Sequence, residues 1–283
     1  GQSADLVTAV RGQLSQPNAY FTISEGLLRD AVAKPIDRRD PITDVILGTR
    51  IRGDGRTTGA VDLRTIPNDD KAVIEIDTRG RVVSQNRGFN GPAVIRSTST
   101  TNFNAKQIVE FSNTQFRAER ARVAAATGSN IHSVSKAGGG LGSRIVADVG
   151  MDKAREKQGQ ANRIAASHAE DRIGRRMTDE IDSRLRKAWK RYQDEYVHPL
   201  VRRGALPDHI RFSTTDDALD YEVTQASRAQ LGAPGAPPEL PADRDMVARV
   251  HETAINNYTA ALLGGATISE TDPKVGTKAD VSL

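Results

Sequence analysis

Residues 161–189 read ANRIAASHAEDRIGRRMTDEIDSRLRKAW, and nearly every fourth position is apolar: Ala161, Ala165, Ala169, Ile173, Met177, Ile181, Leu185 and Trp189, followed by Tyr192 and Tyr196. Charged residues of both signs fill the intervals. This spacing predicts one long, heavily charged helix over 150–203 with a thin apolar stripe. A step of four overshoots one helical turn by about 40°, so the stripe winds round the helix. A flat partner cannot follow it; a strongly twisted or curled sheet can, as can a right-handed supercoil. The stripe grows from Ala to Trp and Tyr, so the gap it fills tapers. His198-Pro199 and Arg202-Arg203-Gly204 close the helix, the proline as a breaker and the basic residues as complements to the C-terminal dipole.

The preceding stretch, 42–125, supplies the sheet. Val45, Leu47, Thr49 and Ile51 alternate with Ile46, Gly48, Arg50 and Arg52. The same alternation marks strands at Ala60–Arg64, Ala72–Asp77, Arg81–Ser84 and Ala93–Thr101, the last extended by Lys106–Phe111. Phe116–Val123 suits either a strand or a helix. Turns are predicted at Gly53-Asp54-Gly55, at Pro67-Asn68-Asp69-Asp70, and at Thr78-Arg79-Gly80 as the bend of a hairpin. One face of these strands is apolar and the other carries Arg, Thr and Asp, which indicates an antiparallel sheet wet on one side.

Short helices are predicted at 4–14 and at Ser24–Val32, the second capped by Ser24 and ended by Pro35. After the long helix come a hairpin, Ile210–Thr214 with Ala218–Thr224, and a Pro/Gly-rich linker at 232–242. A helix at 243–264 and a polar tail at 265–283 follow. The fold class is therefore α+β: a curved antiparallel sheet packed on or around one long helix, with short N-terminal and C-terminal helices. The main domain is expected to span 1–231.

Composition narrows the chemistry. Hydrophobic residues are 37% and aromatics 4%, so the core is thin and built from Val, Ile, Leu and Ala. The net charge of +4 is mild, and the charges of the long helix balance as i, i+4 pairs. A nucleic-acid-binding helix shows an excess of one sign on one face, so no nucleic-acid partner is expected. The chain has no cysteine, which excludes disulfides, thiolate catalysis and Cys-ligated metals. No run reaches the roughly 18 apolar residues of a membrane span. The start Gly1-Gln2-Ser3 suits a mature exported chain or a tag scar, and a periplasmic or envelope location is expected.

No motif assigns a catalytic residue, metal or cofactor. Gly138-Gly139-Gly140-Leu141-Gly142 is followed by Ser143-Arg144 and lacks the Gly-Lys-Ser/Thr ending of a phosphate loop, so it reads as a hinge. No two of the histidines 132, 168, 198, 209 and 251 share a helix face at metal-binding spacing with a carboxylate. Asn68-Asp69-Asp70 with Glu75 and Asp77 lacks the register of a calcium loop, and there is no Gly-x-Ser-x-Gly elbow.

The order of helices, about five antiparallel strands, one long helix and further strand resembles that of tubular lipid-binding (TULIP-type) domains. The likeness covers residues 20–225 and rests on topology. It implies a curled sheet wrapping a helix and enclosing a lipid groove. Asn68-Asp69-Asp70-Lys71-Ala72-Val73, Gly88-Phe89-Asn90-Gly91-Pro92 and Arg211-Phe212-Ser213-Thr214-Thr215 also resemble exported bacterial proteins of no assigned activity. The first expectation is thus a non-enzymatic exported protein that binds an apolar ligand such as lipid between sheet and helix. Its lining would be Leu47, Val61, Leu63, Ile74, Ile76, Ile173, Met177, Ile181 and Leu185. The same residues would form the closed core of a structural or envelope-assembly scaffold that holds a protein partner. A hydrolase with a dispersed active site is the third reading.

Overall fold

The computed structural model describes residues 15–138, 143–227, 230–238 and 244–263, with Ala9 and Gly12 in addition. Its elements run β1 (Ala19–Ser24), α1 (Glu25–Val32), β2 (Pro35–Ile46), β3 (Thr49–Ile66), β4 (Ala72–Asn90), β5 (Ala93–Phe111), β6 (Phe116–Ala118), β7 (Arg122–Lys136), α2 (Ser143–Glu156), α3 (Gln158–Tyr192), a π-helical turn (Gln193–Val197), α4 (His198–Arg202), β8 (His209–Thr214), β9 (Ala218–Thr224), β10 (Met246–Val250) and α5 (Glu252–Leu263). The class is α+β, with curled antiparallel sheets and one long helix. The large sheet runs β2-β3-β4-β5, and β6 and β7 share the far side of β5. A second sheet has the order β10-β1-β9-β8.

The strands are longer than local chemistry predicts. Gly53-Asp54-Gly55 is not a turn but the middle of β3, paired with Ile42, Pro41 and Asp40 on one side and with Asn86, Gln85 and Ser84 on the other. Thr78-Arg79-Gly80 likewise lies inside β4. These glycines face inward, where a curled sheet brings backbones together. A Cβ on Gly53 would lie 2.3 Å from the Gln85 carbonyl oxygen, and one on Gly59 2.3 Å from that of Arg79. Glycine inside a strand here marks a bend with close backbone approach. The real hairpin turns are the two-residue connections Leu47-Gly48 and Gly91-Pro92. Leu47 and Gly48 have φ of 49° and 75°, the signs of a type I′ turn.

Other expectations shift as well. Residues 116–123 divide between β6 and the start of β7, and β7 continues through 136. The long helix breaks at Lys157, so α2 precedes α3. Residues 246–250 form a strand that pairs with β1, and helix resumes at Glu252. The start of the Pro/Gly-rich segment is packed rather than solvated: Ala233 is buried and exchanges two backbone hydrogen bonds with Gln16, both 2.9 Å. Ser24 caps α1 by accepting from the Leu27 amide, and the β8–β9 hairpin turns at 215–217 as its chemistry predicts. The 4–14 helix, apart from Ala9 and Gly12, the glycines 139, 140 and 142 and the tail from 264 lie outside the described residues.

Aromatics are few but gathered. Phe116 meets Phe111, Trp189, Tyr192 and Phe212 at centroid distances of 5.1 to 6.0 Å, and Phe212 meets Tyr221 at 4.7 Å. This cluster ties the C-terminal end of α3 to both sheets. Burial there pushes the Tyr221 phenol well above its ordinary range. Asn68 and Thr214 exchange backbone hydrogen bonds of 2.8 and 2.9 Å and link the sheets at the same end. Two carboxylates on the outer face of the sheet lie there, Glu75 half-buried and Glu110 buried beneath their cationic partners. Burial pushes each up, but hydrogen bonds and charge from Lys106 and Arg64 on Glu75, and from Arg117 and Lys71 on Glu110, outweigh it, so both sit below the usual glutamate range.

Gly59→Val is expected to destabilise the protein by about 2 kcal/mol, since overpacking against backbone cannot be relieved by a rotamer change. Gly128→Val, where nothing lies within 4 Å of the added Cβ, should be neutral or stabilising. Denaturant titration of both variants checks the contrast. The stabilisation from Glu75 and Glu110 is complete above the unfolded glutamate pKa of about 4.3 and is lost as pH falls through their lower folded values. Glu75→Gln/Glu110→Gln should flatten the acid limb of a pH–stability profile.

Candidate functional site: a cleft between sheet and helix

The inward residues of the large sheet are fixed by register. Ile51 on β3 stands opposite Asp44 and Gly88, Gly88 opposite Ile95, and Ile95 opposite Val134. The sheet curls so that its outer strands, β2 and β7, approach one another, and α3 lies across the gap. Its two flanks are held differently. On the β7 side, side chains of the helix satisfy strand backbone: Glu170 accepts from the Ala125 amide (2.9 Å) and Thr178 from the Ala121 amide (3.2 Å). Asn162 accepts from Ser129 Oγ at 2.7 Å, and Gln158 donates to the Ser129 carbonyl. On the β2 side the contacts run mainly to carboxylates, with one hydrogen bond from Arg172 to the Thr43 carbonyl at 3.4 Å. Asp44 meets His168 at 2.8 Å and Arg172 at 3.4 Å; Asp40 meets Arg176 at 3.2 Å and Arg38 at 3.0 Å.

Two adjoining cavities occupy the space between. The first, of about 340 Å³, lies against α2 and the start of α3. Its walls include Ile46, Leu47, Ile51, Ile95, Ile131 and Val134 from the sheet, and Ala154, Ala161 and Ala165 from the helices. The second, of about 390 Å³, continues along α3 past Ile42, Val82, Ala169 and Ile173 to Arg38, Arg172 and Arg176. They share Ile46, Ile51, Asn86, Ser99, Thr127 and Ala165. Each volume falls in the range of about 300–1,000 Å³ that holds small ligands.

The cleft is apolar along its sides and hydroxyl-rich on its floor. Asn86 Nδ2 donates to Ser84 (3.0 Å) and Ser99 (2.6 Å), whose hydroxyls lie 3.0 Å apart. Asn86 Oδ1 is buried with no hydrogen-bond partner among the described residues. At the charged end, burial and the nearby Arg176 lower the Arg38 pKa against the opposing pull of Asp40. The arrangement offers an apolar trough, one orphan acceptor and a charged terminus in which three arginines face the two carboxylates Asp40 and Asp44. Among the described residues, no three His, Asp or Glu side chains gather as a metal site, and no hydroxyl is hydrogen-bonded to His168 in the cleft.

Of the residues singled out from sequence, Leu47 and Ile173 line this cleft. Leu63, Ile74 and Leu185 are buried beyond it, and Val61, Ile76, Met177 and Ile181 are half-buried on the same inner surfaces without lining either cavity. The lining missed by sequence reasoning is Ile46, Ile51, Ile95, Ile131 and the small and hydroxyl residues. The alanine end of the helical stripe was the available signal, because small side chains leave space.

No protein-family model matches the chain, and no curated protein matches it in sequence. A solved structure described as a lipopolysaccharide binding protein aligns over 82% of the chain with a TM-score of 0.35 and 11% identity. The aligned part covers 56% of that protein, so the chain spans little more than half its length. No helix among the described residues is long and apolar enough to cross a membrane.

Asp44→Ala is expected to loosen α3 from β2 while leaving its β7 contacts intact. The pairs are partly exposed, so the loss should be about 1 kcal/mol. Spin labels at Val45 and Arg175, both exposed, should report a longer and broader distance in the variant.

Proposed function

We propose that the protein is a non-enzymatic binder that holds an apolar chain, such as that of a lipid, in the cleft between the large sheet and α3. The observation that carries this reading is the mismatch between helix and sheet at one end. Where α3 presents Trp189 and Tyr192 the space is filled by packed rings; where it presents Ala161 and Ala165 the space stays open. Close packing is the default of protein interiors, and an apolar trough with a few convergent polar groups is the usual form of a small-ligand site. In this reading Ile46, Ile51, Ile95 and Ile131 contact the chain. The Asn86 acceptor and the Arg38, Arg172 and Arg176 end take the polar part of the ligand. An envelope location goes with this role, and cell fractionation tests it.

The test is organic extraction of the folded protein, purified without detergent, with mass spectrometry of the extract. A stoichiometric lipid is expected. Ala161→Trp and Ala165→Trp should each lower retention at least tenfold with the melting temperature little changed, because the added ring enters existing space. A blank extract together with no uptake of a fluorescent fatty acid would overturn the reading in favour of the scaffold.

A further inference from the structure

The outer face of the large sheet distributes its charges unevenly. Towards the end where β3 turns into β4 at 67–71, its arginines are matched. Arg64 meets Glu75 at 2.9 Å, Arg79 meets Asp77 at 3.0 Å, and Arg117 meets Glu110 at 2.5 Å. Nearer the middle, Arg56 meets Asp37 at 2.5 Å. At the opposite end the register sets Arg52 opposite Arg87, and Arg87 opposite Arg96. Three exposed arginines therefore stand side by side on β3, β4 and β5, at strand spacings of about 4.8 Å. Neither they nor Arg50, two residues from Arg52 on the same face, form an ion pair with any described carboxylate. Like charges directly opposite destabilise a sheet, so the row has no structural role to explain it. A shallow depression over it also touches Gln85, Thr98 and His132, and Asp54 is its one carboxylate among the described residues.

The next row towards the tip changes character. Arg50 stands opposite Val45 and Phe89, and Phe89 opposite Val94. Val45 is 58% exposed and Phe89 38%. Beyond them the β2–β3 turn places Leu47, 36% exposed, at φ 49°. Asn, Asp and Gly are the residues that suit such a turn, and a bulky side chain held at positive φ is an outlier whose strain invites a functional explanation. The end of the sheet is thus an apolar tip behind which lies a band of unmatched arginines.

We infer that this end docks on an anionic lipid bilayer, with Arg50, Arg52, Arg87 and Arg96 at the level of the phosphates and Val45, Leu47 and Phe89 in the interface. Two features select this partner. The arginines require an anionic surface, and apolar side chains ahead of the cations match the layering of headgroup over acyl chain. A nucleic-acid backbone would use the arginines but leave the apolar tip in water. Leu47 and Asn90 also line the cleft, so docking brings the cleft to the bilayer. The docking itself requires no cargo in the cleft.

The test is co-sedimentation of the full chain with phosphatidylcholine vesicles and with the same vesicles containing phosphatidylglycerol. Binding is expected to the anionic vesicles and to weaken with salt. Each arginine near such a surface contributes roughly fivefold to partitioning, so Arg52→Gln/Arg87→Gln/Arg96→Gln should lose about a hundredfold. Its melting temperature should be unchanged or higher, since repulsion is relieved. Leu47→Asn/Phe89→Ser should bind more weakly while retaining the salt dependence, and it serves if the arginine variant misfolds. Arg64→Gln/Arg79→Gln, on the same strands at the matched end, should bind like the parent. Equal partition into both vesicle types, or undiminished binding by a folded arginine variant, would overturn the proposal. So would binding of a duplex oligonucleotide through these arginines with no vesicle binding. Ala165→Trp should leave vesicle binding intact, which separates failure of docking from failure of cargo binding.

Discussion

A curled sheet that stops short of closure leaves two free edges, and the fold depends on what covers them. Unpaired strand backbone costs about 1–3 kcal/mol per group when it is buried without a partner. Here α3 fills the gap, and it does so asymmetrically. Glu170 and Thr178 reach backbone amides at 125 and 121, so the helix substitutes for a missing strand on the β7 side. On the β2 side it meets mainly the carboxylates Asp44 and Asp40, through His168, Arg172 and Arg176, with one long 3.4 Å hydrogen bond from Arg172 to the Thr43 carbonyl. Amide contacts fix position tightly, whereas partly exposed ion pairs are weak and screened. The helix is therefore anchored to β7 and leans on β2, and the β2 seam is the more yielding of the two that border the cavities.

The size gradient along α3 decides where the interior is solid. Trp189 and Tyr192 lock into the rings of Phe116 and, through it, Phe212. Ala161 and Ala165 stand off from a sheet floor of serine, threonine and asparagine. A chain poor in aromatics can build one well-packed cluster, and this one places it at a single end. The inward glycines act on the same geometry from the other side. With no Cβ at 53 and 59, β3 and β4 curl tightly enough to bring β2 within reach of the helix.

How far the sequence discloses this depends on whether a signal is local. The alternation over 42–125 and the four-residue stripe are local consequences of one wet sheet face and one wound helix face, and both are legible. Strand continuity is not, because Gly53-Asp54-Gly55 has turn chemistry, and only the curl of the whole sheet turns those glycines into bend points. β7 is obscured by its small residues, Ala124, Ala125, Ala126 and Gly128, which show little β-branched enrichment. β10 runs into helix α5, and pairing with β1 makes it a strand. For the site, hydrophobicity alone does not separate lining from core. It selects Leu63, Ile74 and Leu185, which are buried beyond the cleft, as readily as Leu47 and Ile173, which line it; the opening lies where the helix residues facing the isoleucine walls are the small Ala161 and Ala165.

The arginine row lies at a still more remote level, since no single strand contains it. Arg52, Arg87 and Arg96 are each ordinary solvated residues along the chain, and only the register of two hairpins makes them neighbours. Their placement shows a division of labour along the long axis of the sheet. One end collects the aromatic cluster, the inter-sheet bridge at Asn68 and Thr214, and the paired carboxylates Glu75 and Glu110. The other collects the strained Leu47, the unmatched arginines and the open half of the cleft. Strain and like-charge repulsion persist only where the rest of the structure over-determines the fold. The packed end supplies that surplus, which lets the tip keep features that weaken it as a fold and suit it to a lipid surface.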